Sequence, residues 1–309
     1  MPRGALPGFI VVCLVAATSL SAQDTRAPKL NGLLQLRETY QQHVMTATVH
    51  RARLYLDGAM SSRFTYRISA DLVNASGGTT DATARLTDAF VRWSPSATWN
   101  LTVGQFKAPF SREYLLTPAI IETPDRAAVS ELLPPKRDIG VMAAYALRTV
   151  ATLSAGVFNG EGVNTLSNTD STVLAVARMT VRPLAALDLG ANVAAYGADS
   201  MRYGADAMIT SGPASARAEF IGQHRDGGGT DDYGWYLVAT YRVQPTLQLV
   251  LRQEDLRRPA VPEPRTIATT AGANLESRDQ RVRLSLDYVS RQLGTGRSGT
   301  ILAQLQLTF

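Results

Sequence analysis

The stretch VHRARLYLDGAMSSRFTYRISADL, Val49 to Leu72, alternates polar and apolar residues in two successive runs. Arg51, Arg53, Tyr55 and Asp57 share one parity; Ala52, Leu54 and Leu56 share the other. After a break at Gly58–Ser61, Arg63, Thr65, Arg67, Ser69 and Asp71 alternate with Phe64, Tyr66, Ile68, Ala70 and Leu72. Side chains two apart on a strand share a face, whereas a helix would scatter these arginines around its circumference. The pattern predicts two strands, each with a wet face and an oily face, and the fold follows from what each face meets.

The alternation recurs to the last residue. It predicts sixteen strands near 30–40, 48–58, 62–73, 84–94, 99–107, 138–147, 150–159, 171–181, 186–196, 201–210, 214–224, 233–243, 246–256, 265–275, 280–290 and 300–309. No helical pattern separates them, which argues against βαβ units. The connections alternate in length. Gly58–Ser61, Ser94–Thr98 and Leu147–Thr149 are tight, while Asn74–Thr83, Ala108–Arg137 and Gly160–Asp170 are long. A soluble antiparallel sheet accounts for any one hairpin, but it has no reason to sort long loops to one end. A transmembrane antiparallel β-barrel does, with short turns towards the periplasm and long loops outside. Closure pairs every backbone group, so no sheet edge meets lipid. The oily parity then faces acyl chains and the arginine parity faces an aqueous lumen. Sixteen strands leave a channel, where eight would be plugged by their own side chains.

The N-terminus agrees with that compartment. Arg3, the apolar run Pro7 to Ala17 and the small residues Ser19 to Ala22 outline a secretory signal peptide over 1–22, ahead of a barrel domain over 23–309. The run is shorter than the ~20 residues of a membrane-spanning helix. The single cysteine, Cys13, falls inside it, so the mature chain would hold no thiol. Of the 31 basic residues, only Lys29, Lys107 and Lys136 are lysine. Arginine dominates, and its planar fork of donors suits carboxylate and phosphate oxygens.

The longest insertion, Ala108 to Asp138, is proline-rich, and a loop of that length is commonly functional. Folded inward it would be a constriction, with Lys107, Arg112, Arg126, Lys136 and Arg137 as its selectivity residues. It also carries Glu113, Glu122, Asp125 and Glu131, so it is mixed in charge. Arg51, Arg53, Arg63, Arg67, Arg281 and Arg283 share the wet parity and are candidate lumen-wall residues. Asp57, Asp71, Asp88 and Asp287 share it too and can pair with them.

Several segments resemble one family. VGQFKAPFS (Val103–Ser111), HRARLYLDG (His50–Gly58), LTDAFVRW (Leu86–Trp93), RDIGV (Arg137–Val141) and GVFNGEG (Gly156–Gly162) are similar, in order and spacing, to the phosphate-selective porin O and P family. Phe309 is similar to the aromatic terminal residue recognised by the barrel-assembly machinery. The resemblance is densest from about 48 to 162. It implies a sixteen-stranded, commonly trimeric barrel that passes phosphate or polyphosphate by diffusion, with an arginine ladder and lysines near the constriction. Lys107 stands in the first motif, and Arg51 and Arg53 in the second.

Other chemistry finds no footing. His43, His50 and His224 show no metal spacing, and no nucleophile elbow is present. GTGRSGT (Gly294–Thr300) lacks the strand–loop–helix context of a phosphate loop. Dispersed arginines form no compact nucleic-acid patch. The expectation is an outer-membrane porin of the bacterial cell, with no catalytic residues, cofactor or metal. It would lie among outer-membrane lipid and lipopolysaccharide, assemble as a homotrimer and favour small anions. The alternatives are a weakly selective general porin, an outer-membrane barrel enzyme and a structural or adhesive barrel.

Overall fold

The alternating segments become strands of one closed sheet. The computed structural model describes residues 27–76, 79–81, 83–168, 171–197, 200–225 and 231–309. The signal-peptide reading of 1–22, with Cys13, lies outside the described residues. The first strands are β1 (Lys29–Gln41), β2 (Val44–Ala59), β3 (Phe64–Ser76), β4 (Thr79–Asp81), β5 (Arg85–Trp93) and β6 (Trp99–Lys107). After the insertion come β7 (Arg137–Leu147), β8 (Ala151–Phe158), β9 (Leu174–Leu184), β10 (Leu187–Tyr196), β11 (Ser200–Ser211) and β12 (Ala214–Arg225). The last five are β13 (Asp232–Gln244), β14 (Leu247–Arg257), β15 (Arg265–Glu276), β16 (Val282–Leu293) and β17 (Gly296–Thr308). Each pairs antiparallel with its neighbour. The three-residue β4 pairs with the end of β3, whose remaining length pairs with β5, so the wall has sixteen strands. Leu33↔Thr308 through Gln41↔Thr300 joins β1 to β17 and closes the barrel.

Both parities fall where the alternation places them. Leu249, Leu251, Leu284, Leu286 and Tyr288 are exposed on the outside, while Thr240, Asn274, Ser285, Gln304 and Gln306 are buried inside. A soluble protein does not display so continuous an apolar surface. Trp93 and Trp99 flank the 94–98 turn on the outer face, and Trp235 lies near the other rim, as an interfacial girdle requires. Among the described residues no helix is long and apolar enough to cross a membrane, and strands do the crossing.

Three expectations need correcting. The second strand begins at Val44, not 48, because Gln42 (φ 50°) and His43 (φ 66°) make a two-residue hairpin with both residues left-handed. The long-loop end is therefore not uniformly long, and β16 and β17 meet in a second tight turn at that end. The insertion, read as a loop with no helical pattern between its strands, holds two short helices, α1 (Arg112–Leu115) and α2 (Ala128–Leu132). Finally, the inner face is not polar throughout. Leu174, Val176, Ala194, Ile221, Val238, Val250 and Leu256 point inward and bury Phe110, Ala127, Val129 and Leu133 of the insertion. Apolar residues occupy the wet parity there because another part of the chain, not water, covers them.

Candidate functional site

The insertion is held by its own backbone. Glu219 on β12 accepts from the N–H groups of Arg112 (2.9 Å) and Glu113 (3.3 Å) in the first turn of α1. Glu254 on β14 accepts from Ala128 N–H (2.7 Å) at the start of α2. These N–H groups have no intrahelical partner, and carboxylates suit them. Further along, wall donors reach successive carbonyls. Gln306 bonds Ala119 O (2.9 Å), Arg283 bonds Ile121 O (2.8 Å), Asn274 bonds Glu122 O (2.8 Å) and Arg37 bonds Pro124 O (3.0 Å). Arg217, almost fully buried, takes Glu122 through two bonds (2.9 and 2.7 Å) and also reaches Glu113 (3.3 Å) and the Tyr236 hydroxyl (3.0 Å). All of these wall residues are inward-facing. The insertion thus lies on the lumen side, pressed against β10 to β17 and β1.

The five residues expected at a constriction separate into two groups. Lys107, Arg126 and Lys136 gather round one ring, with their cationic centres 5.1, 5.3 and 5.7 Å from the Tyr114 centroid. Lys107 Nζ donates to the carbonyls of Tyr114 (2.5 Å), Leu115 (3.3 Å) and Leu116 (2.9 Å), capping the end of α1. Arg126 reaches the carbonyls of Glu113 and Leu116, and both Arg126 and Lys136 pair with Glu131. Burial pushes the Tyr114 hydroxyl above its ordinary pKa. Arg112 and Arg137 stand apart: Arg112 pairs with Asp206 on β11 (2.5 Å), and Arg137 pairs bidentately with Asp88 on β5 (2.8 and 3.1 Å). Burial opposes ionisation of the half-exposed Asp125. Arg37 at 2.9 Å, helped by His50 and Arg252, outweighs it and holds that carboxyl below its usual range.

The wall candidates also divide. Arg53 and Arg67 lie on the inner wall, paired with Asp71 (2.5 and 2.6 Å) and Asp57 (2.7 and 3.1 Å). Arg51 bonds Gln35 Oε1 (2.8 Å). Arg283 binds Glu276 and the insertion. Arg63 and Arg281 are not on strands. Each sits in a turn at the short-turn mouth, exposed to water. Arg92 shares the wet parity in the sequence and lies inward as that parity requires; Arg178, also inward, was not singled out, nor were Glu219, Arg217 and Glu254, whose partners are far off in the chain.

Between the insertion and the inner faces of β2 to β9 lies a cavity of about 430 Å³. Arg53, Arg67, Arg92, Lys107, Arg137 and Arg178 line it, against one carboxylate, Asp88. Four of these cations carry carboxylate partners, Arg178 with Asp206 at 2.6 Å. Arg92 and Lys107 do not, and Arg92 bonds only Thr102 Oγ1 (3.2 Å) among the described residues. Among those residues no group of three or more His, Cys, Asp or Glu side chains is placed to hold a metal ion.

A closed barrel with an inward insertion and a charged inner wall defines an outer-membrane porin. The chain belongs to the family of phosphate-selective porins O and P, whose model matches residues 33–200, and it lies in the bacterial outer membrane. A search of curated proteins returned no match. Among solved structures, the outer-membrane channel DcaP of Acinetobacter baumannii is similar (12% identity, 95% of this chain and 100% of that one, TM-score 0.69). So is an anion-selective porin from Comamonas acidovorans (12% identity, 92% and 99%, TM-score 0.67). OmpT of Vibrio cholerae, in a trimer form, is similar too (11% identity, 93% and 100%, TM-score 0.67). At these identities the likeness is one of fold.

Proposed function

We propose that this porin passes small anions in preference to cations, that the insertion is its constriction, and that it works as a homotrimer. The observation that carries the anion preference is the cavity beside the insertion, with six cations to one carboxylate. Three of the six have a carboxylate each at close range and Arg178 shares Asp206 with Arg112, so the field an ion feels comes chiefly from Arg92 and Lys107, with a part from the Arg112–Asp206–Arg178 cluster. That surplus is enough to sort ions by sign and small enough to release them. Membership of the porin O and P family makes phosphate or polyphosphate a natural solute. The fold shared with an anion-selective porin and with a trimeric one supports the same reading. Phe309 is bonded through its backbone to Gly32 at the closing seam.

Planar-bilayer recording tests the proposal. In a KCl gradient the zero-current potential should carry the sign of chloride preference, and millimolar phosphate should reduce the chloride current. A potential of the potassium sign would overturn it. A weakly selective general porin is the second reading. It is favoured by Asp57, Asp71, Asp88 and Asp206, which each neutralise an arginine, and a potential near zero without phosphate block would establish it. Sedimentation in detergent should give three copies per particle.

A further inference from the structure

The cavity's cations have an unexpected neighbour, apolar surface. Phe90, Phe106 and Met142 from the wall, with Pro109 and Leu115 from the insertion, line the same space. Phe90 and Phe106 meet edge to face at 5.9 Å, and Phe106 meets Phe158 at 5.3 Å, so the rings are fixed rather than loose. The Arg92 guanidinium carbon lies 5.5 Å from the Phe90 centroid. Arg92 bonds Thr102 through Nε alone, and its Nη1 and Nη2 make no hydrogen bond among the described residues. A guanidinium in that state offers a carboxylate a two-point fork. Lys107 is different, because its ammonium is spent on three carbonyls and contributes charge but no free donor. One open fork therefore stands beside a fixed aromatic face, inside a space of ligand size.

An inorganic anion uses the fork and gains nothing from the rings. A small anion with an apolar body uses both. Resting on the anion reading above, the geometry points to a transient site for small aromatic or branched-chain monocarboxylates, with the carboxylate on Arg92 and the body against Phe90, Met142 and Leu115. Openness to the lumen keeps the binding weak, which transport requires.

Benzoate and acetate separate this idea from the reading beneath it, since they share one charged group and differ in the body. In bi-ionic recordings against chloride, wild-type protein should pass benzoate at least as readily as acetate, although benzoate is larger. Benzoate should also reduce the chloride current at concentrations where acetate does not. Phe90→Ser should lower the benzoate-to-acetate permeability ratio about fivefold, the equivalent of losing contact over roughly 40 Å² of apolar surface. Leu115→Ser, on the insertion and outside the wall, should lower it in the same direction and carries the test if the Phe90 variant fails to assemble. Acetate ahead of benzoate in the wild type, with no benzoate block, overturns this inference and leaves the anion reading intact. Preference for potassium over chloride overturns both.

Discussion

Arg92→Glu is the sharpest perturbation of the pore field, because Arg92 is a cavity cation with no carboxylate partner among the described residues and no part in anchoring the insertion. Two unit charges 4 Å apart in water interact by about 1 kcal/mol, and at roughly twice that distance, on the axis of a wet pore, by about 0.5. Reversing one charge thus costs a passing anion about 1 kcal/mol and gives a cation the same. The unscreened permeability ratio would move nearly 30-fold. With a Debye length of ~10 Å at 0.1 M, about half of that energy survives, leaving roughly fivefold. Arg92→Gln, which removes the charge without reversing it, should move the ratio about twofold. The assay is the zero-current potential in a KCl gradient centred near about 0.1 M. If both variants fold and conduct with the wild-type potential, ions do not pass this cavity and the assignment of the pore is wrong. Lys107→Glu is the less clean experiment, since it also breaks three bonds that cap α1.

Arg217→Ala should leave Glu113 and Glu122 buried beside no guanidinium, at about 3–5 kcal/mol, and the released insertion should appear as open-channel noise; a quiet trace with wild-type conductance would show that the insertion does not depend on it. Asp125 is held below its usual pKa, so the Arg37–Asp125 contribution is complete above the ordinary ~3.9 of an aspartate and is lost only as pH falls through the lower folded value. The part of the channel noise that depends on Asp125, read as the difference between Asp125→Asn and the wild type, should accordingly be constant from pH 8 to about pH 5 and vanish below roughly pH 4; a difference that is lost near neutrality would contradict the sign. Raising salt from ~0.1 M to ~1 M shortens the Debye length from about 10 to 3 Å, and the chloride preference should shrink towards unity; a salt-independent ratio would point to size and not charge. Gly104→Ala should cut the yield of heat-modifiable, folded barrel, since φ is 126° there and a Cβ would strike the Ala89 carbonyl; a normal yield would refute that account of β6.

Most of the wall is legible in the sequence because a strand's period is two and lipid asks one thing of every outward position. Arg51, Arg53, Tyr55 and Asp57 face inward as their parity requires, and so do Arg67, Ser69 and Asp71, across ladders with two bulges. Those bulges absorb single residues, His50 and Leu72, without turning the arginines outward. Parity cannot report what sits opposite an inward residue. Arg217 and Glu219 alternate with Ala216, Ala218 and Phe220 just as Arg281 and Arg283 alternate with their neighbours. Yet the first pair binds the insertion more than ninety residues away, and Arg281 merely faces water at the mouth.

The inner face therefore meets two environments, and residue type separates them in part. Where the wet parity holds Thr, Ser and Arg, as at Arg92, Thr152 and Ser154, the wall lines the cavity. Where it mixes Val, Ile and Leu with charges, as at Arg217–Glu219–Ile221 and Val250–Arg252–Glu254, it meets protein. The apolar members bury side chains of the insertion, Glu219, Glu254 and Arg252 satisfy its backbone, and Arg217 takes its carboxylates. A charge among inward apolar residues marks an anchor at Arg217, Glu219, Arg252 and Glu254, but Arg37 and Arg283 hold the insertion from among polar neighbours, where residue type gives no sign. On the anion reading proposed above, Arg92, between Phe90 on its own strand and Thr102 on the next, would stand in the conduit at the point where it touches apolar surface, and a passing solute would meet both.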